Sequence, residues 1–130
     1  HLIPELLLQA GVPVITGPAL GDRSKPELAN MTLENPAILQ RAGVPVAICT
    51  DHPEVPIQYL PLCAALAVKG GLEAEAALAA ITVNAARIAG LDGILGSLVP
   101  GREADIVVTS GHPLELLGQV RAVLIGGRRI

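Results

Sequence analysis

The sequence contains no phenylalanine and no tryptophan, and Tyr59 is its only aromatic residue. A core made from this chain therefore cannot rest on large rings; with 51% of its residues hydrophobic, it must be built from Ala, Val, Leu and Ile. Cysteine is nearly as scarce. Cys49 lies in an apolar strand pattern and Cys63 in an apolar helix pattern, which excludes a disulfide framework and a paired-cysteine metal motif. An excess of one charge is also missing: the formal charge is -3, with acids and bases scattered along the chain. Neither nucleic acid nor an anionic membrane surface is an expected partner. No long hydrophobic run exists either, because Leu60 to Val68 is under half the roughly 20 residues a spanning helix needs. These absences predict a soluble, cytoplasmic protein.

The 130 residues suffice for one modest domain or for part of a larger one, since domains usually hold roughly 100 to 200 residues. The chain opens at His1, within a helical pattern rather than at a methionine, so a piece of a longer protein is expected.

What the sequence does contain is a repeat. "LLLQAGVPVITGPAL", from Leu6, and "AILQRAGVPVAICTDHP", from Ala37, each run a helical stretch into Ala-Gly, then Val-Pro-Val, then an apolar strand. Gly11 and Gly43 fit helix ends that need positive φ. Pro13 and Pro45 lack a backbone donor and belong at the beginning of a strand. Val14-Ile15 and Val46 to Cys49 read as strands buried on both faces, as in parallel sheets. This is an α/β signature of strand-helix units.

The long connection "GPALGDRSKPELANMTLEN" ends in Asn35-Pro36, a predicted N-cap and first helical residue for a helix from Ala37 to Ala42. A further helix is predicted from Gln58 to about Lys69, stopped by Gly70-Gly71. Glu73 to Ala80 and Asn84 to Ala89 follow as two helices with Thr82 as a cap between them. Beyond Leu91 the pattern changes to short Val/Ile runs: a Val-Pro-Gly-Arg turn, strands at Asp105 to Thr109 and Val120 to Ile125, and a tight turn at Gly126-Gly127.

Asp51 and His52 stand at the end of the second strand, where loops form the site face of parallel α/β folds. A carboxylate there can bind a divalent cation or accept a proton; equally, Asp51 can cap the following turn with His52 as a surface neighbour. The chain has no H-x-H, H-E-x-x-H or C-x-x-C, so it builds no recognised metal site by itself. Arg23 and Lys25 could clamp an anionic group or remain solvated. His112, in "SGHP", reads as structural.

In combination, "AICTDHP", "AAITVNAARIAGL", "GSLVPGREADIVV" and "VLIGGRRI" resemble the C-terminal part of metal-dependent amidohydrolases, in particular the imidazolonepropionase-like branch. The resemblance implies the C-terminal part of a (β/α)8 TIM-type barrel over residues 1–90, about its last two strand-helix units. Val12 to Thr16 would be strand seven and Val44 to Cys49 strand eight. Residues 91–130 would supply strands of a small composite β-sandwich domain. It further implies hydrolysis of a C-N bond in a cyclic or linear amide by a metal-activated water, with Asp51 as catalytic residue and metal ligand. His52, Arg23 and Lys25 become substrate contacts, and the divalent metal is expected to be zinc, its other ligands lying upstream of His1. On this reading the chain alone is inactive and self-associating, hence a homo-oligomer. The alternative is a free-standing α/β binding or assembly module without catalysis, which would close its own core and unfold as a cooperative monomer.

Overall fold

The computed structural model describes all 130 residues. A seven-residue helix α1 (Pro4–Ala10) ends at Gly11, which takes φ 65°, and leads into strand β1 (Val14–Thr16). A second helix α2 (Asn35–Arg41) ends ahead of Gly43, at φ 85°, and leads into strand β2 (Val46–Ile48). The two repeat copies are thus two helix-strand units with left-handed glycines where the sequence places them. β1 and β2 pair in parallel, Val14 with Val46, Ile15 with Ala47 and Thr16 with Ile48.

Helices α3 (Leu60–Lys69), α4 (Ala74–Ala80) and α5 (Val83–Ile88) follow. They cover β2 with small residues: Ile48 and Ala37 share one apolar cluster with Cys63, Ala64, Ala67, Leu72, Ala77 and Ala80. Alanine at these contacts compensates for the missing aromatics, because helix backbones can approach closely and still fill the space. Cys63 is fully buried, and that burial pushes its thiol upward, against a hydrogen bond from the Ala19 amide and with a small further push from Cys49. It serves as a core residue, as its apolar helix pattern indicates. Cys49 is only half-buried.

An antiparallel sheet closes the chain, with β3 (Ile106–Thr109) beside β4 (Val120–Ile125) and β4 beside β5 (Arg128–Arg129). Gly126 and Gly127, at φ 55° and 78°, form the expected turn. The loop from β3 to β4 returns to the helices: Leu114 packs against the main cluster, and its amide donates to His112 Nδ1 at 3.3 Å. His112 Nε2 lies 4.0 Å from Glu75 on α4. His112 is structural, as the sequence suggests.

Several local expectations are corrected. α2 begins at Asn35, so Asn35 is its first residue rather than its cap, and Glu34 occupies the cap position without a side-chain bond. Thr32 Oγ1 instead accepts the Glu34 amide at 2.9 Å, and Asn35 Oδ1 is left buried without a partner. Thr82 does stand at the cap position of α5, but it makes no side-chain cap bond; its hydroxyl donates back to the Leu78 carbonyl at 2.7 Å. At the end of α3, Gly71 takes the left-handed turn at φ 95°, whereas Gly70 is held at φ -78°. Gly70-Gly71 stops the helix as expected, and a Cβ on Gly70 would also run into the backbone of Leu33 and Glu34, so this glycine serves a close chain crossing as well. Finally, β2 is buried on both faces but β1 is not: Ile15 is 58% exposed. β1 pairs with no strand other than β2.

The other edge of β2 is held by a side chain. Pro45, Ala47 and Cys49 direct their backbone groups toward β1, as the bonds from Val14 N–H to Pro45 O (2.9 Å) and from Cys49 N–H to Thr16 O (2.9 Å) show. Backbone groups alternate sides along a strand, so Val46 faces away from β1. There its carbonyl accepts a 3.1 Å hydrogen bond from Asn84 Nδ2 on α5. Replacing Asn84 with alanine would leave a carbonyl of the buried Val46 unpaired; Asn84→Ala is expected to lower stability by about 1–3 kcal/mol, read from the urea midpoint.

Candidate active site at the strand ends

Because β1 and β2 are parallel and in register, the chain leaves both at the same end of the sheet. The connection after β1 carries Arg23 and Lys25, and the turn after β2 carries Asp51 and His52. All four are exposed. Asp51 and His52 are brought together on one turn. Arg23 and Lys25 lie on the adjacent connection, and neither makes an ion pair with Asp51, since the chain's one carboxylate–base contact is His112 with Glu75.

The start of each loop is tightly built. Gly17 follows β1 at φ 144°, and a Cβ there would overlap the carbonyl of Cys49. The peptide bonds Gly17-Pro18 and His52-Pro53 are both cis. Asp51 is the only non-glycine residue with positive φ, at 52°, a region that Asp tolerates better than most residues. Thr50, just before it, is buried at 4% exposure and is the one polar residue among the buried set. Thr50 and Gly17 carry a signal that reading the sequence for ionisable groups passes over.

The β1 connection has its own organisation. Asp22 Oδ1 accepts the Ser24 amide at 3.0 Å, and a 3-10 turn follows at Pro26–Leu28. Hydrogen bonding from the Ser24 side chain, then from its amide, holds the Asp22 carboxyl below its usual range, with a lesser contribution from Lys25. Arg23 and Lys25 flank Ser24, so this turn sets where both cations leave the loop.

Beneath the loops lies a cavity of about 40 Å³, lined by Thr16, Ala19, Met31, Ile48 and Cys63 among others. That is far below the roughly 300 Å³ of a small-molecule pocket. A more open and polar cavity of about 360 Å³ lies in the C-terminal part, between Gly93, Arg102, Glu103 and Gly126. None of the four candidate residues lines either cavity. No group of three or more His, Cys, Asp or Glu side chains comes close enough to hold a metal ion. Asp51 can act as one ligand or one proton acceptor; these 130 residues do not complete a metal centre.

The sequence pattern of the amidohydrolase family matches residues 2–130. The chain belongs to the amidohydrolase family. It is 46% identical over 70 residues to the imidazolonepropionase of Geobacillus kaustophilus, a match covering 52% of this chain and 16% of that enzyme. Its fold superposes on an amidohydrolase from Thermotoga maritima with a TM-score of 0.95 at 40% identity, covering 99% of this chain and 34% of the other. An adenosine deaminase from Xanthomonas campestris with bound zinc is similar at a TM-score of 0.65 and 28% identity, over 97% of this chain and 33% of that one. The chain thus spans about a sixth of the imidazolonepropionase and about a third of each of these structures. The imidazolonepropionase-like resemblance read from its motifs agrees with these relatives. The α/β class agrees as well, and no helix is long and apolar enough to cross a membrane.

Two outcomes test the loop geometry. Gly17→Ala must displace the Cys49 carbonyl as well as strain φ, and is expected to cost at least about 2 kcal/mol in chemical denaturation. Since the folded Asp22 carboxyl is depressed, the Ser24 bonds it accepts are present above the ordinary carboxylate range and lost as pH falls through the lowered value. A carbon-13 titration of the Asp22 carboxyl should show this, and Ser24→Ala should move its midpoint upward.

Proposed function

We propose that this chain is the C-terminal part of a metal-dependent amidohydrolase that cleaves a C-N bond in a small cyclic or linear amide. Residues 1–90 contribute the last two strand-helix units of a (β/α)8 barrel, and residues 91–130 contribute strands of a small composite β domain. The observation that carries the reading is the placement of Asp51. It is an exposed carboxylate presented just past the end of a strand buried on both faces, at the same end of the sheet as the Arg23–Lys25 connection. Family membership over residues 2–130 favours this reading over a free-standing binding module.

A divalent ion, zinc by analogy with the zinc-bound neighbour, supplies a lowered water pKa and polarises a carbonyl when bound. Its remaining ligands come from segments outside these 130 residues. Asp51 accepts the proton of the attacking water and returns it to the leaving nitrogen. His52 orients Asp51 or touches substrate, and Arg23 and Lys25 contact polar or anionic groups on it. The exposed apolar residues Leu2, Ile3, Leu6 and Ile15, together with the unpaired edge of β1, favour self-association of the isolated chain into a homo-oligomer. The working enzyme is cytoplasmic and binds neither nucleic acid nor membrane.

Two measurements test this. In the complete enzyme Asp51→Asn is expected to lower kcat by about 10²–10⁴-fold, the typical contribution of a positioned acid or base, with the thermal midpoint unchanged. Elemental analysis of the purified 130-residue chain, dialysed against trace zinc, should find close to no metal per chain. One tightly held ion per chain would overturn the proposed division of ligands, and full activity of Asp51→Asn would remove Asp51 from the chemistry.

A further inference from the structure

The turn that presents Asp51 is built unevenly. Its two ends, Thr50 and Val55, are 4% and 5% exposed, while Asp51, His52, Pro53 and Glu54 between them are exposed. Two nested backbone bonds close it: the Glu54 amide donates to the Asp51 carbonyl at 2.8 Å, and the Val55 amide donates to the Thr50 carbonyl at 3.3 Å. Asp51 accepts the inner bond and lies within the outer one at φ 52°, a conformation that an L residue keeps only where its surroundings hold it.

Solvent-facing backbone bonds are easily opened, and the residues that stiffen the turn, Pro53 and Pro56, are both exposed. Val55 is the one member of the turn beyond Thr50 that enters the core. Its side chain belongs to the same cluster as Ile48 on β2 and Cys63, Ala64 and Ala67 on α3. The strand fixes where the turn begins, and Val55 fixes where it must return. With both ends fixed, the span between them is short enough to impose the left-handed turn at Asp51.

We infer that Val55 is a positioning residue for Asp51: its burial in the core cluster that includes residues of β2 and α3 holds the 50–55 turn closed and so fixes the carboxylate at the strand end. The inference rests on the proposed role of Asp51, yet its structural half can be read without metal or substrate.

The test compares Val55→Ala with Val55→Ile in the 130-residue chain and in the complete enzyme. In the chain, Val55→Ala should leave amide protection in α3 and α4 in place. The Glu54 and Val55 amides should exchange about 10-fold faster or more, as expected for local opening, and the strong intraresidue HN–Hα Overhauser effect of a left-handed Asp51 should weaken. Val55→Ile should restore all three signals. In the complete enzyme Val55→Ala should lower kcat about 10- to 100-fold, the scale of a small misplacement of a catalytic group, with KM little changed and kcat recovered by Val55→Ile.

Unchanged exchange and an unchanged Asp51 signal in Val55→Ala would overturn the inference, because the prolines alone would then be closing the turn. So would a lower thermal midpoint with kcat per folded molecule unaltered, since that describes a purely structural residue. If Val55→Ala does not fold, Val55→Thr, which keeps the shape of valine, is read by the same signals. Opening of the turn together with a fully active Asp51→Asn enzyme would support the anchoring and refute the catalytic assignment, so the two failures are separable.

Discussion

Three residues, Val46, Ala47 and Ile48, are buried on both faces of a strand, and the rest of the structure is arranged around covering them. Burying such a strand removes water from its backbone as well as its side chains, so every polar group on it needs a partner. On one edge β1 supplies them through the parallel ladder. On the other edge the Val46 carbonyl is met by Asn84 from α5. On the faces, alanines of α2, α3 and α4 come close enough to leave little empty space. The consequence at the far end of the strand is positional: a backbone held this firmly delivers Thr50 and Asp51 to a defined place.

The parts of this arrangement that rest on local rules are legible in the sequence. The repeated Ala-Gly-Val-Pro-Val marks two helix-strand units because glycine alone takes the left-handed helix end easily and proline cannot sit inside a ladder. The double turn glycine at Gly126-Gly127 and the change of pattern after Leu91 identify the antiparallel hairpin in the same way. The exposed Asp51 and His52 are found at the strand end because the apolar run stops there.

What sequence reasoning misses depends on contacts between distant residues. Asn35 has the composition of a cap, but Thr32 accepts the Glu34 amide and the helix starts one residue earlier. Gly70 ends α3 as the sequence suggests, but it also makes room for the chain at Leu33, which the sequence does not show. Asp105 looks like the start of a strand, yet its carboxylate accepts the Gly126 amide at 2.8 Å and ties the last hairpin to the segment before β3. Ile15 matches its repeat partner Ala47 in pattern but faces outward, because burial on both faces depends on neighbours that a single strand cannot specify.

The same distinction governs the chemistry. Within these residues Asp51 makes no ion pair, lines neither of the two cavities described above and belongs to no group of three possible metal ligands; what sets it apart is where it is held. Placement is the part of catalysis a scaffold can supply in advance, since preorganised groups act at the moment of reaction without having to move. The strength of the interactions is a different matter, because it rises as water is excluded and charges are enclosed. An exposed carboxylate on a rigid strand end has the first property and lacks the second. On the proposed reading, further polypeptide closes over this end of the sheet and brings both the remaining ligands and a lower dielectric.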